Sequence, residues 1–274
     1  MCKQHVHTVR VPFKRSATWE SWLLLMADVH WDNPLCRRDM LARHLSEARE
    51  RSARVFVIGD LFCLMNGKYD PRRSLGKVRP EHKRDDYLDA VIGDAVKWWS
   101  PHADVLELVT VGNHETAVLK TTGTDPTRRF ADGVGCEAGT YQGWARFMLE
   151  DGTHRRSLTM RYHHGHGGGG VVTKGTLWPQ RRAAWWPDAD IVVSGHIHEQ
   201  WSFPITRERL TDAGEIRNDT QLHLCLPTYK DETGEGVGWA VEKGMSPRPL
   251  GAWWVRLTWD SASGMPRATE MRAT

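Results

Sequence analysis

Short apolar runs ending in clusters of polar, chemically capable residues recur along the chain. LLLMA ends at Asp28, Val29 and His30, RVFVI at Gly59 and Asp60, and VLELVTV at Gly112, Asn113, His114 and Glu115. Two later runs do the same: SLTMRY leads into His163, His164, Gly165 and His166, and DIVVS into Gly195, His196, Ile197 and His198. Each run has the length of a buried strand, and the WLLLMA stretch is too short to span a membrane. Between the early runs, apolar residues fall three and four positions apart, as at Leu88, Val91, Ile92, Ala95 and Trp99, so helices are expected over 37–52 and 85–99. Strand and helix in alternation predict largely parallel strands covered by helices. Sites in such folds lie beyond the carboxyl ends of the strands, where all five clusters would meet. Residues 199–274 carry TQLHLCL and AWWVRLTW, which read as strands of a second, more antiparallel sheet, with loops over 207–218 and 231–249.

Composition narrows the class without choosing the chemistry. With 274 residues and 40% hydrophobic content, the chain can fill the core of one large α/β domain or two modest ones. Five cysteines, at 2, 36, 63, 136 and 225, form no CxxC pair and are odd in number; this suits a reducing, cytoplasmic setting rather than a disulfide framework. No signal peptide or membrane segment is expected, and no sequence feature points to a partner protein. Lys plus Arg at 37 against Asp plus Glu at 34 leaves +3, which permits an anionic substrate without requiring a nucleic acid.

The polar clusters make sense as one set of ligands. Asp28, His30, Asp60, Asn113, His164, His196 and His198 offer carboxylate, imidazole and amide groups, a mixture suited to Mn, Fe or Zn, with Mn placed first. Seven ligands exceed what one ion keeping a water can use, but suit two ions about 3.5–4 Å apart that share a carboxylate, for which Asp60 is the natural bridge. Glycines at 59, 112, 165 and 195 would let the backbone turn close to the ions.

The ordered elements D-x-H, G-D, G-N-H-E, a histidine before glycine, and G-H-x-H resemble the signature of the calcineurin-like metallophosphoesterases, over Asp28 to His198. The resemblance implies an α/β sandwich of two facing mixed β-sheets flanked by helices. A single domain over 1–274 is expected, its motif-bearing part at 21–200 and its closing strands at 201–274. It further implies that Asp28, His30, Asp60 and His198 hold one ion, that Asp60, Asn113, His164 and His196 hold the second, and that His114 is a general acid for the leaving group. Within RYHHGHGGGG the family pattern selects His164, the histidine directly before glycine; His163 would point the other way along the strand. His166 reads equally as a substrate contact or a turn cap, and Gly167 to Gly170 as a flap or a loose loop.

The implied reaction is hydrolysis of a phosphoester by a hydroxide shared between the two ions. A phosphodiester of a nucleotide or nucleic acid is preferred over a phosphomonoester or pyrophosphate, and over a non-catalytic scaffold such as a retromer subunit that resembles these enzymes. The segment GDLFCLMNG, with VGNHE, lacks the arginines that protein Ser/Thr phosphatases supply from these motifs. The basic stretch 68–84 follows Asp60, so Arg72 and Arg73 are expected to grip phosphate. Most of the tryptophans read as core rather than as the lining of a substrate groove; of the pairs 98–99, 185–186 and 253–254, each is expected to bury one ring and leave the other near the surface. Arg128–Arg129, Arg155–Arg156 and Arg181–Arg182 read as surface charge, and His5 and His7 as a frayed terminus.

Overall fold

The computed structural model describes residues 6–65, 78–152, 154–168, 170, 172–211, 213–234 and 239–274. Two six-stranded mixed sheets face each other. One contains β1 (Val6–Pro12), β6 (Gln142–Asp151), β7 (His154–His163), β8 (Ile191–Ser194), β10 (Ile216–Cys225) and β9 (Trp201–Leu210), in that spatial order. The other runs β12 (Met265–Ala273), β11 (Ala252–Asp260), β2 (Glu20–Met26), β3 (Arg54–Ile58), β4 (Leu106–Thr110) and β5 (Glu137–Ala138). Strands β2 to β5 pair in parallel, as the alternation predicted. The intervening segments form α1 (Arg38–Glu50), α2 (Tyr87–Trp99), α3 (Asn113–Thr122) and α4 (Pro126–Val134). Helix α5 (Trp178–Trp185) precedes β8, and a short α6 (Trp239–Glu242) lies in the late connection.

The continuous apolar run of β2 follows from burial on both faces. Leu23 and Leu25 join Phe56, Phe147, Tyr162 and Ile191 in the core between the sheets, while Leu24 and Met26 join Leu41, Val91, Trp99 and Phe130 under the helices. The same geometry buries both Trp253 and Trp254, at 4% and 3% exposure, one in each core, where one surface ring was expected.

Several other expectations are corrected. The closing strands do not form a sheet of their own: β9 and β10 extend one sheet, and β11 and β12 the other. The stretch 207–218 is largely strand, the two arms of the β9–β10 hairpin. His7 is not frayed but lies within β1, paired in parallel with β6, and its Nε2 is 2.7 Å from Glu107 Oε1. Arg182 is buried rather than surface charge, and donates to Ser194 Oγ at 2.8 Å. His5, Arg72 and Arg73 lie outside the described residues. No helix among the described residues is long and apolar enough to cross a membrane.

Candidate metal centre

The five polar clusters converge where the ends of β2, β3 and β4 meet those of β7 and β8. Backbone hydrogen bonds knit the turns together: Asp28 donates to the Gly59 carbonyl and His30 to that of Asp60, while Gly195 donates to His164 across the two sheet ends. At these turns Asp28, His30, Asp60, His196 and His198 all adopt left-handed backbone, with φ between 49° and 73°. Such a conformation is sparsely populated by non-glycine residues, though Asp and His tolerate it better than most. Gly59, at φ 78°, and Gly195 make room for the cluster. A Cβ on Gly59 would come within 2.3 Å of His164 Nδ1, and one on Gly195 within 2.5 Å of an Asp28 carboxylate oxygen.

The side chains gather into two groups. Asp28, His30 and His198 offer donor atoms that all lie within 4.8 Å of one another, as do Asp60, His164 and His196. His30 Nε2 and His198 Nε2 face each other at 3.4 Å, and His198 Nε2 is 3.3 Å from Asp28 Oδ1. In the second group Asn113 Oδ1 lies 2.7 Å from His196 Nδ1 and 3.1 Å from His164 Nε2. Asp60 spends one carboxylate oxygen on the His114 backbone N–H at the start of α3, at 3.0 Å, and turns the other to His164 Nε2 at 3.2 Å.

These groups fit cations. His164 Nδ1 is 2.9 Å from the Ile58 carbonyl, which can only accept, so Nδ1 carries a proton. Its Nε2 then points at a carboxylate and an amide oxygen, an arrangement of lone pairs that only a shared proton or cation reconciles. Among the described residues, buried His30 Nδ1 has no hydrogen-bond partner. Without an ion the proton takes that place. Burial opposes charge on both partners, but their mutual attraction outweighs it, raising the His164 pKa and lowering that of Asp60. His30 is driven the other way, first by burial and then by His114, which keeps its imidazole neutral and ready to ligate.

His114 belongs to neither of the two groups named above, but a donor atom of its ring lies within 4.8 Å of those of His30 and Cys63. Its Nδ1 contacts the Cys63 carbonyl at 2.6 Å, its Nε2 is 3.9 Å from Asp60, and the residue lines a cleft of about 640 Å³ together with His30, Asp60, Asn113, His196 and His198. His163 uses Nδ1 to accept from the Gly165 N–H at 2.9 Å, and so holds the turn. His166 does not line the cleft; its exposed ring packs edge-on to Trp178 at 4.6 Å. Gly167 and Gly168 do line it.

Some important residues escaped the motif reading. Buried Glu115 accepts backbone N–H groups from Gly112, Asp60 and Phe62 at 2.8, 3.2 and 2.9 Å, clamping the β3 and β4 turns together. Burial and the Asp60 charge push its pKa up to about 8. Asp32 holds the Cys63 and Leu64 N–H groups in the same way, at 2.6 and 3.0 Å. Glu115 sits inside a recognised motif, where its spacing was the signal, whereas Asp32 gives none. The far wall of the cleft comes from Lys230 and, in the late segment 231–249 expected to be loop, from Glu232 and Arg248.

No protein-family model matches the sequence, and no curated protein sequence matches it. Solved structures do. A conserved uncharacterised protein from Streptococcus pneumoniae TIGR4, described as a predicted phosphoesterase, is 15% identical, covers 93% of this chain and 99% of its own, and has a TM-score of 0.32. Vps29 from Entamoeba histolytica, complexed with zinc, is 10% identical over 92% of this chain and 99% of its own, with a TM-score of 0.34. GAP50 of Plasmodium, the anchor in the inner membrane complex, is 9% identical over 93% and 85%, with a TM-score of 0.42. In its own two-sheet topology, and in the order of D-x-H, G-D, G-N-H-E, H-G and G-H-x-H around one cleft, the chain resembles the calcineurin-like metallophosphoesterases.

Proposed function

We propose that the protein is a binuclear metal-dependent phosphoesterase acting on a phosphodiester of a nucleotide or nucleic acid. The observation that carries this reading is His164: its Nδ1 proton is committed to Ile58, and its Nε2 faces Asp60 and Asn113, as a ligand's would. Asp28, His30, Asp60 and His198 would hold one ion, and Asp60, Asn113, His164 and His196 the other, with manganese the first choice. When bound, two such ions supply positive charge to phosphoryl oxygens and lower the pKa of a water toward neutrality.

The remaining work falls to the chain's own groups. The Cys63 carbonyl fixes the His114 ring, so that a protonated imidazole presents Nε2–H to the cleft and donates it to the leaving oxygen. Glu115 and Asp32 hold the turns that carry Asp60 and Cys63, which keeps ligand and acid in register. Lys230, nine-tenths buried in the cleft wall and paired with Glu232 at 2.5 Å, adds fixed positive charge near His30.

The test is a panel of phosphomonoesters, phosphodiesters, cyclic nucleotides and single- or double-stranded DNA, with manganese added to metal-stripped protein. Diester hydrolysis that depends on added metal is the expected result. Preferential hydrolysis of monoesters would move the substrate class, and a folded, metal-loaded protein inert on the whole panel would defeat the enzymatic reading.

A further inference from the structure

Residues 152–187 contain Arg155, Arg156, Arg161, Lys174, Arg181 and Arg182 but no Asp or Glu, in a chain whose charges otherwise nearly balance. The same stretch exposes large apolar side chains at one edge of the metal cleft. From Gly167 and Gly168, which line the cleft, the chain passes exposed Val172 to Leu177 at 61% and Trp185 at 58% exposure. Isolated exposed hydrophobics are ordinary, but an aromatic and aliphatic surface interleaved with arginine is the make-up of a nucleobase platform.

The local geometry supports that use. The exposed Arg181 guanidinium lies 5.6 Å from the centre of the Trp178 ring, and Trp185 sits 6.4 Å from Trp178 and 6.2 Å from Trp186. Those two rings are inclined to Trp185 by 54° and 70°, so neither stacks parallel on it. Below, Arg161 and Arg182 lie 4.8 and 5.9 Å from the Trp186 ring, and the bond from Arg182 to Ser194 fixes the layer to β8. The segment is also pinned to the cleft. Trp201 donates to the Lys174 carbonyl at 2.9 Å, and Gly175 packs so closely on the cleft residue Ile197 that an added Cβ would come within 2.7 Å of it.

We propose that this surface binds single-stranded nucleic acid, with bases against Trp185 and Leu177 and phosphates at Arg181, and leads the strand over Gly167 and Gly168 to the metal cleft. A single strand is specified because a duplex hides its base faces from aromatic side chains. Delivery to the cleft rests on the phosphoesterase reading; binding at the surface does not.

The experiment is fluorescence anisotropy of a labelled deoxythymidine oligomer about ten nucleotides long, in EDTA, so that hydrolysis and metal loading play no part. Trp185→Ala should weaken binding about five- to a hundredfold. Arg181→Glu should weaken it as well and reduce the dependence on salt, while Met271→Ala, on β12 of the other sheet and 41% exposed, should bind as the wild type does. Wild-type affinity in both Trp185→Ala and Arg181→Glu overturns the proposal, as does equal affinity for a duplex of the same length. A wild-type dimer that Trp185→Ala converts to monomer in sedimentation velocity also overturns it, because a second copy then covers the surface. Hydrolysis of bis(p-nitrophenyl) phosphate by wild type with manganese separates the two readings: oligomer binding without that hydrolysis removes the phosphodiesterase and leaves the surface standing.

Discussion

The Nδ1 of His164 lies 2.9 Å from the carbonyl oxygen of Ile58, the last residue of β3, so one strand end sets which nitrogen another presents. His164→Ala should therefore remove one of two bound ions and lower kcat/KM by more than about a hundredfold. His163→Ala should keep both ions, since His163 turns its Nδ1 to the Gly165 N–H rather than to the ligand cluster. Elemental analysis of the two purified variants decides the matter, and the reverse pattern would shift the ligand by one residue.

Asp60 is expected to be the shared ligand. Asp60→Asn should weaken both ion sites together, by about tenfold or more each, as read by titration of metal-stripped protein. Loss confined to one ion would reduce Asp60 to a ligand of the His164 and His196 group alone.

The role of His114 should be separable from metal binding. His114→Ala is expected to retain both ions and to lose about a hundredfold to ten-thousandfold in kcat on an alkyl leaving group, with a much smaller loss on p-nitrophenyl esters, whose leaving group needs little protonation. Equal losses on both substrates would sink the general-acid role. Loss of an ion would place His114 among the ligands.

Far from the cleft, Glu107 joins β4 to its neighbours by accepting from Arg54 at 2.6 Å and meeting His7 at 2.7 Å. Burial alone would raise its pKa, but these partners lower it. A lowered carboxylate pKa stabilises the fold above the unfolded value, and that contribution disappears as pH falls through the folded one. Glu107→Gln should cost about 1 kcal/mol at neutral pH in urea denaturation, and the difference from wild type should shrink as pH falls below the ordinary carboxylate range. A deficit independent of pH would assign the effect to packing.

The strand ends were legible because each couples an apolar run to a dense polar cluster within a few residues, as at RVFVI and Asp60. Pairing across long distances was not. Nothing local in VHTVRVP announces that His7 lies beside Ala145, and nothing in AWWVRLTW says that β11 joins β2 rather than β10. Trp253 and Trp254 read as one buried and one surface ring because alternation assumes a sheet covered on one side, and β11 is covered on both. Lys230, Glu232 and Arg248 reach the cleft only through the late connection, whose composition resembles ordinary loop.

The left-handed backbone at Asp28, His30, Asp60, His196 and His198 has a consequence for the protein's history and engineering. Each such residue costs on the order of 1 kcal/mol, against a typical net stability of about 5–15 kcal/mol for a domain. Glycine would relieve that cost at any of the five positions and erase the chemistry there. Screening for heat resistance alone would thus enrich inert variants, and a lineage released from selection for activity would be expected to decay first at these five turns.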